Sequence, residues 1–258
     1  MTYLGIDIGS LSCDAVLIDD GGNILASAVV PTGSRNQEAI RRAKREVLDR
    51  AGIEEAAIRG TVSTGYGRER VDGRQDSVTE ITCHARGILS FFPETRVLID
   101  IGGQDSKAIA IGNGRVIDFA MNDKCAAGTG RFLEAMARAL EVDIDQLGDL
   151  DLDAKGTQNI SSMCTVFAES EVVGHVARGT GVAEIANGIN RAIASRTFSL
   201  AKRIFPTLKS VPVAMSGGVA RNSGVVRALS ALLERPLNVP AEPDIVGALG
   251  AALIARSR

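Results

Sequence analysis

Gly5-Ile6-Asp7-Ile8-Gly9-Ser10 is followed, 93 residues later, by the similar sequence Leu98-Ile99-Asp100-Ile101-Gly102-Gly103. In each copy an apolar run typical of a strand ends at an Asp-x-Gly turn. A second apolar run follows each turn, at residues 15–18 and 107–111. An internal duplication of this kind predicts two similar lobes, each containing a strand–turn–strand hairpin.

The rest of the chain alternates between strand and helix patterns. Strands are predicted at residues 3–8, 15–18, 24–30, 107–111 and 211–215, and helices at 37–51, 80–92, 130–140, 166–177, 182–205, 222–233 and 245–255. Antiparallel hairpins in this order exclude a simple Rossmann arrangement. We therefore expect an α/β fold with an N-terminal lobe at residues 1–94 and a C-terminal lobe at 95–258. The helix at 245–255 belongs to the second lobe or packs back on the first.

Composition excludes several classes of protein. The 258 residues suit one large domain or two lobes. The net charge of −2 argues against a nucleic-acid-binding surface. No apolar run is long enough for a membrane span, and no signal peptide precedes the first strand. Four cysteines do not form a disulfide framework in a chain of this size, so we expect a cytoplasmic protein.

The two turns have the chemistry of phosphate-binding sites. Glycines at 9, 102 and 103 allow close backbone approach, and the hydroxyl groups of Ser10 and Ser12 are further donors. Asp7 and Asp100 end their strands and are candidates for holding Mg²⁺ through water. Gln104 and Asp105 follow the second turn, where a side chain can orient the water that attacks a γ-phosphate. The other candidate contacts near the nucleotide are Leu11, Cys13 and Asp14 in the first hairpin, Ala127, Gly128, Thr129, Gly130 and Arg131 in a glycine-containing loop, and Gly217 and Gly218.

A single Asp-x-Gly turn is most often an ordinary hairpin. Two related copies, together with Ser216-Gly217-Gly218-Val219-Ala220 as a candidate nucleoside contact, favour a nucleotide site. The chain has neither a P-loop sequence nor a usable Gly-x-Gly-x-x-Gly sequence, so those two classes of nucleotide site lack their motifs.

Two cysteines precede predicted helices. Cys125 lies in Asn122-Asp123-Lys124-Cys125-Ala126-Ala127-Gly128, and Cys164 lies in Ser161-Ser162-Met163-Cys164-Thr165. The positive end of a helix lowers the pKa of a nearby thiol and favours an anionic ligand. Two thiolates are half the set that a [4Fe–4S] cluster needs, and a two-fold dimer would supply the other half. The alternative is that both are small buried apolar residues, the usual role of a cytosolic cysteine.

Five segments resemble the activator ATPases of 2-hydroxyacyl-CoA dehydratases and the related ATPase subunits of benzoyl-CoA reductase. The segments are Ser63-Thr64-Gly65-Tyr66-Gly67-Arg68, Asp100-Ile101-Gly102-Gly103-Gln104-Asp105-Ser106-Lys107, Cys125-Ala126-Ala127-Gly128-Thr129-Gly130-Arg131-Phe132, Cys164-Thr165-Val166-Phe167-Ala168-Glu169-Ser170-Glu171 and Gly217-Gly218-Val219-Ala220-Arg221-Asn222. These proteins belong to the actin-like ATPase superfamily, with acetate and sugar kinases and actin. The resemblance implies a two-lobed actin-like ATPase fold with duplicated phosphate-binding hairpins, and it runs from Leu4 to Gly250.

The resemblance also implies a function. Cys125 and Cys164 of both subunits of a homodimer would hold one shared [4Fe–4S] cluster, and the protein would bind ATP or ADP with Mg²⁺. An upstream donor such as ferredoxin or flavodoxin would reduce the cluster. ATP binding and hydrolysis would then drive its electron to a partner, either a 2-hydroxyacyl-CoA dehydratase or a benzoyl-CoA reductase or another cluster-bearing reductase. A small-molecule kinase and a regulatory ATPase with incidental cysteines are the alternatives.

The chain departs from this family at the first turn, which commonly continues with Thr and then Lys. Here it reads Ser10-Leu11-Ser12-Cys13-Asp14, so an acid stands where a phosphate-binding cation is usual. Asp14 either faces away or binds Mg²⁺. Cys13 is a weaker candidate for a third cluster ligand. We interpret Cys83 and His84 as structural, because adjacent helix residues point in different directions.

Overall fold

The computed structural model describes all 258 residues, Met1–Arg258. The strands are β1 (Thr2–Ile8), β2 (Ser12–Asp19), β3 (Ile24–Pro31), β4 (Ile58–Gly65), β5 (Asp76–Ser77), β6 (Val97–Ile101), β7 (Ser106–Gly112), β8 (Arg115–Asn122) and β9 (Val213–Ser216). The α-helices are α1 (Asn36–Ala51), α2 (Glu80–Phe91), α3 (Gly130–Leu140), α4 (Leu147–Leu150), α5 (Thr165–Ala177), α6 (Val182–Ile204), α7 (Ser223–Leu233) and α8 (Val246–Arg256). No helix has the length and apolar character needed to cross a membrane.

The chain forms two compact units. The first contains Met1–Leu98, Ile111–Ile117 and Pro240–Arg258, and the second contains Ile99–Ala110 and Asp118–Val239. A single division after residue 94 does not describe this arrangement, because the chain returns to the first unit twice. Helix α8 is therefore part of the first unit.

The first unit is built on a five-stranded sheet in the order β3-β2-β1-β4-β5. Strands β1, β2 and β3 form an antiparallel meander, and β4 runs parallel to β1. Side chains alternate between the two faces of a strand. Leu4, Ile6 and Ile8 consequently pack with α1, whereas Tyr3 packs with α8. Both faces of the sheet are covered.

Helix α8 lies directly against β1. A Cβ atom added at Gly5 would stand 1.9 Å from the carbonyl oxygen of Ala248, so only glycine allows the helix backbone this close. Ala251 and Ala252 continue the same small-residue surface and are fully buried. The last helix of the chain thus completes the core formed by the first strand.

The second unit contains most of a four-stranded sheet in the order β8-β7-β6-β9 together with helices α3 to α7. Its β6–β7 turn has the same closing hydrogen bond as the β1–β2 turn. The Gly102 amide donates to the Asp105 carbonyl at 3.0 Å, and the Gly9 amide donates to the Ser12 carbonyl at 2.9 Å. The duplication predicted from the sequence is therefore present in the backbone of both hairpins.

Candidate functional site

The first turn is held in place by Thr32, a residue that the sequence motifs did not single out. Its amide donates to the Leu11 carbonyl at 2.9 Å, and its hydroxyl donates to the Gly9 carbonyl at 3.0 Å. Ser10, Leu11 and Ser12 are half-buried. The turn therefore has a fixed backbone while its serine side chains remain within reach of solvent.

Two carboxylates flank this turn. Asp7 and Asp14 are direct cross-strand partners on β1 and β2, and both are buried. The Ser12 hydroxyl donates to Asp14 Oδ2 at 3.1 Å. His84 on α2 is also buried, with its Nε2 atom 3.4 Å from Asp7 Oδ2. His84 therefore contacts Asp7, a candidate for holding Mg²⁺. The sequence predicted a structural role for His84 but gave no indication of this contact.

The second turn carries a buried cation where the first carries Asp14. Lys107, 93 residues after Asp14, donates from Nζ to Asp100 Oδ2 at 3.1 Å and to Asp105 Oδ1 at 2.8 Å. The Ser216 hydroxyl donates to the other Asp100 oxygen at 2.8 Å. Lys107, Asp100 and Asp105 are each at most 4% exposed. The two hairpins therefore share a backbone but have opposite charge at this position.

Gln104 and Asp105 have different surroundings. Gln104 is exposed at the tip of the turn, whereas Asp105 is buried against Lys107. An exposed amide is free to reach a ligand, but a buried carboxylate held by an ammonium group has a structural partner already. Of the two predicted catalytic residues, Gln104 is therefore the better placed to orient water.

Gly217 brings the turn after β9 against the end of β6. Its φ is +84°, and an added Cβ atom would stand 2.4 Å from the Ile101 carbonyl oxygen. A side chain at this position is excluded both by the backbone conformation and by this contact. Gly218, the next residue, is exposed. The turn is thus fixed beside the second candidate phosphate hairpin.

The loop of residues 127–131 is also attached to the second turn. The Gly130 amide donates to the Gly102 carbonyl and the Arg131 amide donates to the Gly103 carbonyl, both at 2.9 Å. Ala127 and Thr129 are fully buried, and the Thr129 hydroxyl donates to the Ala126 carbonyl. The start of α3 is therefore joined to the candidate phosphate turn by backbone hydrogen bonds.

The loops that carry Cys125 and Cys164 meet in the second unit. The Cys125 thiol donates to the Met163 carbonyl at 3.8 Å, one residue before Cys164. Asn122 Nδ2 donates to the carbonyls of Cys125 and Ala127. Cys164 is the N-cap residue of α5, and both thiols are partly exposed. The two predicted ligands are thus brought to one place.

Large apolar side chains are exposed around these thiols. Met163 is 77% exposed, and Val166 and Phe167 in the first turn of α5 are 65% and 66% exposed. Apolar residues exposed together in this way indicate an interaction surface.

A model of the BadF/BadG/BcrA/BcrD ATPase family matches residues 4–255 of this sequence. The chain belongs to this family. The resemblance identified from the five sequence segments is confirmed, and the match covers both hairpins and both cysteine loops.

Three named proteins are similar to this chain over most of their length. The activator of lactoyl-CoA dehydratase from Anaerotignum propionicum is 46% identical over 256 residues, which are 99% of this chain and 97% of that protein. The (R)-2-hydroxyglutaryl-CoA dehydratase activating ATPase from Acidaminococcus fermentans is 43% identical over 253 residues, 98% and 96% of the two chains. One of the subunits of benzoyl-CoA reductase from Thauera aromatica is 33% identical over 213 residues, 80% of this chain and 74% of that protein.

Solved structures confirm the predicted α/β fold of the actin-like ATPase class. The (R)-2-hydroxyglutaryl-CoA dehydratase component A from Acidaminococcus fermentans has a TM-score of 0.95 at 41% identity, covering 100% of this chain and 98% of that chain. The activator of 2-hydroxyisocaproyl-CoA dehydratase from Clostridium difficile, with bound ADPNP, has a TM-score of 0.92 at 43% identity, covering 100% and 95%. A ROK family glucokinase from Streptomyces griseus shares the fold alone, with a TM-score of 0.60 at 17% identity, covering all of both chains.

The other two cysteines have a different environment. Cys13 and Cys83 are fully buried in the two apolar cores of the first unit. Burial raises the pKa of Cys83 to about 12. Burial, followed by the nearby Asp14 and Asp7 carboxylates, raises the pKa of Cys13 still further. Both side chains stay neutral thiols, so only the backbone of Cys13 is available to a nucleotide.

The cysteine loops fit a cluster shared between two chains. No group of three or more His, Cys, Asp and Glu side chains in this chain is arranged to hold a metal ion. Cys125 and Cys164 provide two partly exposed thiols on one surface, which is half of a four-thiolate set. The aspartates fit Mg²⁺ through its water ligands, because both oxygens of Asp100 already accept hydrogen bonds.

Proposed function

We propose that this chain is an ATP-dependent activator of a 2-hydroxyacyl-CoA dehydratase. The proposal depends on the partly exposed thiols of Cys125 and Cys164, whose loops meet. The Cys125 loop continues into residues 127–131, which are hydrogen-bonded to the turn between β6 and β7. A nucleotide site and an electron-transfer site would then lie a few residues apart in one unit. The names of the relatives support a dehydratase as the partner.

In the nucleotide part of the proposal, each hairpin supplies its own contacts. In the first unit, the Ser10 hydroxyl donates to phosphate oxygens, and the Ser12 hydroxyl does so after turning away from Asp14. In the second unit, Gly102, Gly103 and the loop of residues 127–131 do so, with Gly217 and Gly218 beside the adenosine. Asp7 in the first unit and Asp100 in the second unit are each a candidate to hold a water ligand of Mg²⁺. Gln104 orients the attacking water, since its amide is exposed at the tip of the turn.

The nucleotide part is tested with Gln104→Ala. We expect this variant to lose more in ATP hydrolysis than in ATP binding, because the amide would orient the attacking water as well as lie beside the phosphates. Isothermal titration calorimetry and phosphate release separate the two effects. Unchanged turnover would assign the positioning of water to a different residue.

In the electron-transfer part, Cys125 and Cys164 of two copies hold one [4Fe–4S] cluster across a two-fold axis. When bound, the cluster supplies one low-potential electron, received from a donor such as ferredoxin or flavodoxin. The chain's own contribution is to hold the Cys164 thiol at the N-terminus of α5, where a helix end favours negative charge, and the Cys125 thiol on the loop that leads into α3. The exposed Met163, Val166 and Phe167 then cover one another in the dimer.

Iron and acid-labile sulfide in anaerobically purified protein test this part. We expect about four irons for every two chains, and loss of this iron in Cys125→Ser and Cys164→Ser. Cys83→Ala is the matched control, because its thiol is buried in an apolar core and should not affect iron content. A double Cys125→Ser/Cys164→Ser variant that keeps its full iron would contradict the ligand assignment.

ATP changes electron delivery only if it binds two arrangements of the protein with different affinity. We therefore expect the reduced dimer to bind its partner more tightly with an ATP analogue than with ADP. Identical partner affinity and identical reduction potential in the two states would remove this coupling. Between the two candidate partners, the 46% identity to a dehydratase activator against 33% to a benzoyl-CoA reductase subunit favours the dehydratase.

A further inference from the structure

Arg196 on α6 contacts both cysteine loops. Its Nη1 atom donates to the Ser162 carbonyl at 2.8 Å, two residues before Cys164. Its aliphatic stem packs against Gly128, where an added Cβ atom would stand 2.7 Å from Arg196 Cδ. Gly128 has a φ of +83°, so both its backbone conformation and this contact exclude a side chain.

The side chain thus joins two segments that are far apart in the sequence. Gly128 is two residues before Gly130, whose amide is bonded to the Gly102 carbonyl of the second turn. On the other side, the Ser161 amide donates to the Glu171 carboxylate of α5, so the Cys164 loop is attached to its own helix as well. The continuous sequence of contacts runs from the second turn to Gly128, to Arg196 and to the Cys164 loop.

The support for Arg196 is rigid. Its neighbours Ile193 and Thr197 on α6 are fully buried, and the Thr197 hydroxyl donates to the Ile193 carbonyl. A guanidinium group is planar and holds its hydrogen-bond geometry better than an ammonium group. A movement of the loop at Gly128 therefore displaces the stem of Arg196 and, through the guanidinium group, the Ser162 carbonyl.

We propose that Arg196 is a positioning residue that transmits a nucleotide-dependent movement of the 127–131 loop to the Cys164 loop. This inference rests on the proposed nucleotide site. Cys125 is on the same loop as the glycines and needs no intermediary, whereas Cys164 is on a separate loop and receives the movement through Arg196. A merely structural arginine would stabilise the two loops without making one respond to the other.

The test is amide hydrogen exchange of the anaerobic, cluster-loaded protein with and without ADP·Mg²⁺, read by mass spectrometry over residues 125–131 and 159–166. In the wild-type protein we expect ADP to slow exchange in both segments. In Arg196→Met, which keeps an unbranched stem but no guanidinium group, the response at 125–131 should remain. The response at 159–166 should be lost, because this segment no longer has the guanidinium hydrogen bond that joins it to the Gly128 loop.

Arg203→Met is the matched control. Arg203 lies two turns further along α6 and lines the same cavity of about 440 Å³ as Arg196. This variant should keep the wild-type response in both segments. Arg196→Lys, which retains a donor on a flexible stem, should restore part of the response at 159–166.

Three outcomes would overturn the inference. One is a wild-type response at 159–166 in Arg196→Met, and another is a wild-type response confined to 125–131. If Arg196→Met does not fold, Arg196→Gln tests the same contact with a shorter polar side chain, and a full response at 159–166 in that variant also overturns it. Absence of any ADP binding to the wild-type protein is a separate result, because it refutes the proposed nucleotide site itself.

Discussion

Replacing Lys107 with Met should destabilise the second unit strongly. The Lys107 side chain is 4% exposed, and its ammonium group is 3.1 Å from Asp100 and 2.8 Å from Asp105, whose side chains are 3% and 6% exposed. Methionine fills a similar volume but removes the ammonium group that lies between two buried carboxylates. The perturbation therefore removes charge compensation with little change in packing.

The expected loss follows from these distances. At an effective dielectric constant of about 20, each contact contributes about 5–6 kcal/mol of Coulomb energy, part of which offsets the cost of desolvating three charges. Removing one partner of a buried ion pair costs about 3–5 kcal/mol in practice. Because a folded domain is stable by only about 5–15 kcal/mol, the variant should lose a substantial fraction of its free energy of unfolding.

Urea unfolding followed by far-UV circular dichroism measures this loss. Lys209→Met is the control, because the Lys209–Glu234 pair is on the surface and should contribute less than about 1 kcal/mol. Adding Asp105→Asn to Lys107→Met should recover part of the stability by removing one of the uncompensated charges. A loss in Lys107→Met no larger than in Lys209→Met, or no recovery in the double variant, would refute the reasoning.

Further predictions concern the cysteines and Asp14. Iodoacetamide at about pH 8 should label Cys125 and Cys164 of the cluster-free protein and leave the buried Cys13 and Cys83 unlabelled. Peptide mass spectrometry measures the labelling, and labelling of all four cysteines under native conditions would contradict this prediction. The pKa of Cys83 is raised from 9.0 to about 12, so its contribution to stability is complete below about pH 9 and is lost as the pH rises towards 12. In Cys83→Ala the urea midpoint should therefore fall less steeply over this pH range than in the wild-type protein. An equally steep fall would argue against this explanation. Asp14→Lys gives the first turn the charge that Lys107 gives the second, and it should tighten ATP binding about tenfold in calorimetry. Asp14→Asn should have an intermediate effect. Unchanged or weaker binding would show that Asp14 does not act on phosphate.

Much of the fold could be predicted because its signals are local. The helix at 130–140 is found with the predicted bounds, and the predicted start of α6, residue 182, is also correct. Strand β4 was missed, since its sequence, Ile-Arg-Gly-Thr-Val-Ser-Thr-Gly, has few large apolar residues. Strand β8 was missed because most of its residues are exposed and its polar and apolar residues do not predict a buried face.

The contacts that define the site depend on tertiary structure and could not be predicted. The motif containing Lys107 was recognised, but nothing in the sequence indicated that its ammonium group is buried between Asp100 and Asp105. Likewise, His84 meets Asp7 only because α2 packs against α8, the helix that lies on β1. The meeting of the Cys125 and Cys164 loops depends on how 38 intervening residues fold.

The helix that covers β1 is synthesised long after that strand, because it follows it by most of the sequence. Until residues 246–256 have been synthesised, the face of the first sheet that carries Tyr3, Val16 and Ile18 has no α8 to pack against. Contacts between segments that are far apart in the sequence form slowly, because a long loop must close first. A nascent or truncated chain that lacks α8 therefore presents an uncovered apolar sheet, the kind of surface that chaperones and proteases recognise. Only chains that include α8 can hide it, so the position of this helix makes its synthesis a condition for folding the first hairpin.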